Sequence, residues 1–153
     1  MADSKLPSAG GYYPPLGFHF KVEFQGIGND NDTRFQSVSG LNIEYETESI
    51  KEGGQNHFEH KLPVRSKFSD LVLKRGMLTD SEVIGWCKKA LFDREITPVQ
   101  VIVILLNPEH QPLRTWKVNN AWPRKWNVSD FNAGENSIVV ETLELCYSYF
   151  TVE

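Results

Sequence analysis

The most regular pattern in the chain is Phe18-His19-Phe20-Lys21-Val22-Glu23-Phe24, where apolar and polar side chains alternate without a break. A period of two places Phe18, Phe20, Val22 and Phe24 on one face of a half-buried strand. Residues 26–33, GIGNDNDT, then gather the residue types that favour turns. Alternation resumes over residues 35–49: Leu41, Ile43, Tyr45 and Thr47 share one face, and Asn42, Glu44, Glu46 and Glu48 share the other. Gly40 marks the expected bulge where the phase shifts.

Residues 51–56, KEGGQN, read as a flexible hairpin tip, and residues 57–62 as the returning strand with His57, Glu59 and Lys61 on one side. Together they predict a charged arm over about residues 44–61, with little apolar material near its tip. An isolated two-stranded arm is marginal in water and requires something to lie against. The obvious support is another copy of the chain.

Residues 71–76 predict a short strand. Thr79-Asp80-Ser81-Glu82 fits a capping box opening a helix over about residues 80–91. On it Val83, Trp86, Cys87 and Ala90 form an apolar stripe flanked by Ile84 and Leu91, opposite Ser81, Gly85, Lys88 and Lys89. Residues 99–106, VQVIVILL, are apolar on both faces, as expected of a central strand covered on each side.

A turn at residues 107–112 leads to a strand at 114–120, after which Trp122-Pro123 reads as a rigid corner. The last expected strand, residues 137–150, would be far longer than the usual ~5–6 residues. Such length suits a barrel or a sheet continued between subunits. Glu141 falls on its apolar side with Leu143 and Leu145, and a buried carboxylate there needs a basic partner from this chain or a neighbour.

Length changes this picture little: 153 residues imply one domain, residues 18–153, preceded by a Ser-, Gly- and Pro-rich extended arm, residues 1–17. A net charge of -4 gives no basic footprint for nucleic acid. Cys87 and Cys146 are too few for a disulfide framework and are expected as reduced packing residues. The first residues lack the basic and apolar regions of a secretory signal, and no run approaches the ~20 apolar residues of a membrane span.

Candidate chemistry is sparse. His57 and His60, three apart on a predicted strand, point to opposite faces and make a poor metal pair. No nucleophile elbow, phosphate loop, zinc-protease or Cys-x-x-Cys motif occurs, and Gly26-Ile27-Gly28 lacks the rest of a dinucleotide fingerprint. Neither an enzyme activity nor a cofactor is expected. The basic residues Lys61, Arg65, Lys67, Lys74, Arg75, Arg124 and Lys125, set against Glu44, Glu46, Glu48 and Glu52, look like two complementary halves of a contact. A solvated face is the alternative.

Taken in order, residues 18–24, residues 35–41 (FQSVSGL) and Glu52-Gly53-Gly54 resemble the T4-like phage tail-tube family. Leu73-Lys74-Arg75-Gly76, Trp116 with Asn120-Ala121-Trp122-Pro123, and Glu141-Thr142-Leu143-Glu144-Leu145 look particularly like inner tubes of extracellular contractile injection systems. The resemblance covers roughly residues 16–150.

It implies a mainly β fold with one α-helix, in which two packed antiparallel sheets form a β-barrel-like body with a long protruding hairpin. It further implies hexameric rings stacked into a tube, and as partners a contractile sheath, baseplate and cap proteins and a lumen cargo. The particle would be made in the bacterial cytoplasm and act outside it. The resulting candidate subunit contacts are Glu44, Glu46, Glu48, Glu52, Gly53, Gly54, Lys61, Arg65, Lys74, Arg75 and Glu141. The tail tube of a contractile phage, passing DNA, and a monomeric β-barrel holding a small apolar ligand are the other readings.

Overall fold

The structure, a computed structural model, describes residues 19–28, 30–50, 53–54 and 59–153. The expected N-terminal arm, Phe18 and most of the hairpin tip, with Glu52 and His57, lie outside the described residues. In chain order the strands are β1 Phe20–Phe24, β2 Ser37–Ser39, β3 Ile43–Ile50, β4 His60–Phe68, β5 Leu71–Gly76, β6 Val99–Leu106, β7 Pro112–Val128, β8 Val140–Cys146 and β9 Tyr149–Val152. A helix, α1, Glu82–Phe92, falls between β5 and β6, and a 3-10 turn, Asp30–Thr33, between β1 and β2.

All strand pairs are antiparallel. The path β1-β6-β7-β8-β5-β2 forms two sheets joined through β7, while β3 and β4 form a separate ribbon. The first part of β7 pairs with β6 and β9, and its second part with β8. The sheets do not close into a barrel: the path ends at β1 and β2, which do not pair with each other among the described residues. The expected barrel-like closure is therefore replaced by two open layers facing one another.

Their inner faces meet in one core. Val22, Val101, Val103 and Val118 come from one sheet, Leu71, Leu73, Leu143 and Leu145 from the other, and Val83, Trp86 and Cys87 from α1. Alternation along each strand delivers these side chains, since every second residue faces inward. In β6 the inward Val101 and Val103 are buried, and so are the outer-phase Ile104 and the terminal Leu106. The doubly apolar sequence thus belongs to a strand held between β1 and β7.

The long strand is not the one expected from the sequence. β7 runs for 17 residues, straight through Trp122-Pro123. The chain bends earlier, at Asn120, whose φ of 57° is left-handed. There Asn119 and Asn120 stand opposite Gln100, whose Nε2–H donates to Asn119 Oδ1 at 3.0 Å. Asparagine accepts this backbone region better than most residues, and an extra residue on one strand re-aims it. From Trp122 on only β8 pairs with β7 among the described residues, leaving an open edge of the kind where a sheet accommodates Pro123.

The expected strand at 137–150 is divided into β8 and β9 at Tyr147-Ser148. Its register on β7 nevertheless continues, with Trp122 opposite Cys146 and Asn119 opposite Tyr149. The two halves are one ribbon edge bent with β7. Its length serves to cross from one sheet to the other within the chain.

Two local features also differ from the expectation. Gly40 is the break between β2 and β3 rather than a bulge within one strand, and a Cβ there would lie 1.9 Å from the Asp70 carbonyl oxygen, at a φ of +93°. Only glycine permits that approach. The helix cap is Ser81, whose Oγ accepts the Ile84 N–H at 3.2 Å; Thr79 is not the cap. Glu82 does not complete a capping box, because its carboxylate accepts the Gly28 N–H at 3.0 Å.

Candidate assembly surface

The ribbon β3–β4 departs furthest from an ordinary surface. Every residue of β3 is exposed, as is every residue of β4 except Phe68. β4 continues through Pro63 to Phe68, well past the expected return at Leu62. Phe68 anchors the ribbon to the body, its ring edge-on to Tyr147 and Phe150 with centroids 5.9 and 5.1 Å away. Beyond that anchor Ile43, Tyr45 and Val64 are 55, 66 and 53% exposed. Apolar area left in water on a two-stranded ribbon is stabilised by a covering surface.

The register places the charges. Glu44 stands opposite Lys67, Glu48 opposite Leu62, and Ser49 opposite Lys61. Between Tyr45↔Ser66 and Thr47↔Pro63 the pairing shifts, so Val64 and Arg65 together oppose Glu46. This bulge lies on β4 and turns Arg65 toward Glu46, with Nε 3.4 Å from Oε2. Glu44, Glu46 and Glu48 thus share one face as predicted, partly answered by Arg65 and Lys67 from the same ribbon. Lys61 belongs to the opposite face, with Ser49 and Tyr45. Gly53 and Gly54 are exposed turn residues, Gly54 with a φ of 95°. Lys74 is exposed on β5, opposite Ser37 and Thr142.

Arg75 and Glu141, expected as contacts to a neighbour, instead pair inside the chain. Both are 2% exposed and they stand directly opposite on β5 and β8. Arg75 donates through Nη1 to Asp32 Oδ1 at 2.9 Å and through Nη2 to Ser81 Oγ at 2.6 Å, and its guanidinium lies 5.0 Å from the centre of the Phe35 ring. Ser81 also hydrogen-bonds Asp32 Oδ1, and Asp32 Oδ2 accepts the Glu82 N–H at 3.2 Å. Glu141 Oε2 is 3.6 Å from Arg75 Nε, an ion-pair distance without a hydrogen bond. The cluster fastens the 3-10 turn, β5, β8 and the start of α1 together.

Burial pushes the Glu141 carboxyl above its usual range, against the opposing pull of Arg75. The folded chain therefore holds the carboxyl proton more tightly than the unfolded chain does, while the ionised carboxylate is paired with Arg75. Stability then falls as pH rises from the unfolded value, about 4.3, through the raised folded value. Glu141→Gln, which mimics the neutral form, is expected to be at least as stable as the parent at about pH 7, with the difference shrinking toward about pH 4. Urea unfolding at the two pH values measures this; a loss at neutral pH that persists in acid contradicts it.

Two further groups have partners that the sequence does not indicate. Arg124, the extra residue between Pro123↔Leu145 and Lys125↔Glu144, donates to Asp70 and Glu144, each at 2.6 Å. Asp32 is 1% exposed although it lies in a polar turn sequence. Burial also carries the Cys87 thiol up to about 12, and both cysteines are free. Among the described residues no three metal-ligating side chains meet, and no helix is long and apolar enough to cross a membrane.

The surface is thus an exposed ribbon beside a body whose sheet edges at β1, β2, β9 and the second half of β7 are open among the described residues. Comparison with known proteins agrees with that geometry. No curated protein sequence matches the chain. Among solved structures, a chain of the anti-feeding prophage baseplate, six-fold symmetrised, is 30% identical, with 94% of this chain and 97% of that one covered and a TM-score of 0.85. A chain of the PVC sheath-tube complex of an extracellular contractile injection system, in its extended state, is 26% identical over 92% of each chain, with a TM-score of 0.78.

Hcp1 from Flavobacterium johnsoniae shares the fold alone, at 11% identity and a TM-score of 0.53 over 88% of this chain and 94% of its own. Residues 16–151 match the family model for the T4-like virus tail tube protein gp19. Two open antiparallel sheets, one helix, a projecting ribbon and a match of this extent lead to one conclusion: the chain belongs to the T4-like virus tail tube protein gp19 family.

Proposed function

We propose that the chain is the inner-tube subunit of a contractile injection system. Six copies close a ring, rings stack around a lumen, and cargo is carried along that lumen into a target. The observation that carries this reading is the likeness over 94% of the chain to a six-fold symmetrised baseplate chain. The ribbon supports it independently, since its exposed Ile43, Tyr45 and Val64 are covered if they lie on a neighbouring copy. The edges that are open among the described residues would be removed by closing a ring.

In this reading the arm residues Glu44, Glu46, Glu48, Gly53, Gly54, Lys61 and Arg65 make contacts between copies, with Lys74 beside them on the body. The sheath, baseplate and cap are the partners. The particle is assembled in the bacterial cytoplasm and works outside the cell, and the chain acts by shape, as a conduit, without catalysis. The phage tail reading rests on the family's own description and differs in passing DNA.

Electron microscopy of the purified protein and of native particles is expected to show stacked rings with a central channel and six-fold averages. A protein that stays monomeric in every condition and is absent from such particles overturns the proposal. Sheath, baseplate and ATPase genes beside this one, without capsid or portal genes, select the injection system over the phage.

A further inference from the structure

We propose that His19 and His110 form a two-imidazole site for a divalent transition-metal ion of tetragonal preference, Cu2+ foremost. His19 Nε2 and His110 Nδ1 lie 2.9 Å apart, with ring centroids at 4.6 Å and planes at 64°. The residues are 91 positions apart in sequence and meet only because β1 pairs with β6 beside the β6–β7 turn.

Both rings start from fixed backbone. The His19 carbonyl accepts the Leu106 N–H at 2.8 Å. His110 occupies a left-handed position, φ 62°, in a turn closed by its own N–H to the Asn107 carbonyl at 3.0 Å. The Asn107 N–H donates to the Gln111 carbonyl at 2.9 Å, and the Gln111 N–H returns to Asn107 Oδ1 at 2.8 Å. The backbone on both sides is thus ordered in advance, and binding has only the two imidazole side chains to reorient.

The separation selects the geometry. Metal–imidazole bonds are about 2.0–2.1 Å, so if both rings turn from their mutual hydrogen bond until their lone pairs converge at about this spacing, they subtend about 90° at a shared ion, whereas a tetrahedral ion needs about 3.3 Å. A right angle is the cis angle of square-planar or tetragonal coordination, and Cu2+ binds nitrogen donors most tightly among the first-row divalent ions. Both imidazoles bind as neutral ligands, His19 through Nε2 with its proton on Nδ1 and His110 through Nδ1 with its proton on Nε2, and protonation of either ligating nitrogen removes its lone pair, so acid competes with the metal. Among the described residues no third His, Cys, Asp or Glu joins the pair, and water completes the coordination. A bound ion clips the start of β1 to the β6–β7 turn.

Titrating the full-length protein with Cu2+ tests the site. One equivalent is expected to bind, with an electron paramagnetic resonance spectrum showing hyperfine splitting from two nitrogens. His19→Asn and His110→Asn should each abolish that signal, while the double variant H57N/H60N keeps it. Binding should also raise the melting temperature of the parent and leave that of His19→Asn unchanged. The proposal is overturned if the parent shows no saturable binding, if the spectrum lacks two nitrogens, or if H19N/H110N binds as the parent does. A parent spectrum without two nitrogens overturns the proposal even where a variant fails to fold, and H57N/H60N keeps the assignment to His19 and His110 testable.

Discussion

Arg75→Met is expected to destabilise the folded chain by about 3–5 kcal/mol, the cost of removing the cation from a buried ion cluster. Methionine keeps the stem and most of the volume, so the loss isolates the charge. Without the guanidinium, Asp32 at 1% exposure and Glu141 at 2% remain in a space from which water is excluded. The effect exceeds that of an exposed ion pair such as Arg65–Glu46, worth at most about 1 kcal/mol.

Deleting all the charge together should cost much less. The variant D32N/R75M/E141Q leaves no uncompensated ion, and is expected to recover most of the loss, as buried ion clusters replaced wholesale do. Denaturant unfolding of the three proteins settles both statements. An Arg75→Met variant within about 1 kcal/mol of the parent would show that the cluster is not a structural fastening.

Most strands were legible because a half-buried sheet writes its two faces into alternate residues, as at Val22 and Phe24 or at Leu143 and Leu145. The helix stripe was legible for the corresponding reason at a period near 3.6. Hidden features depended on partners remote in sequence. Glu141 stands out on the apolar side of its strand and calls for a basic partner, but Arg75 looks like one of several basic residues, and only the pairing of β5 with β8 shows that each is the other's partner.

Asp32 lies among turn residues, yet the start of α1 folds over it through Ser81 and the Glu82 N–H. The bend at Asn120 did have a sequence signal, two asparagines inside a strand, but Trp122-Pro123 nearby carried the stronger local one. Proline is a turn residue except where a strand has an open edge, and edges are a property of the sheet. The ribbon's charged face was read correctly from alternation on β3, whereas the bulge that brings Arg65 onto it belongs to the pairing with β4.

Changing Glu44, Glu46 and Glu48 together to Lys is expected to abolish ring or stack formation while the body stays folded. The core lies in the two sheets and α1, and the three glutamates, all exposed on the ribbon, take no part in it or in the anchor at Phe68. Near-parent far-ultraviolet dichroism and unfolding midpoint, with no tubes in electron micrographs, is the predicted result. One ambiguity follows from the register, because the three new lysines would face Arg65 and Lys67 on the partner strand. Like charges opposed across a ribbon weaken it by themselves.

A second variant separates the two causes. Adding R65E and K67E to the triple change restores opposite charges across the ribbon but leaves the face inverted in its arrangement toward any neighbour. If the glutamates contact another copy, assembly stays lost in this five-fold variant. If tubes return, the charges act within the ribbon and the contact between copies is carried by Ile43, Tyr45 and Val64. Unchanged tubes in the triple variant would remove the arm's electrostatics from assembly altogether, since a complementary interface punishes juxtaposed like charges by several kcal/mol.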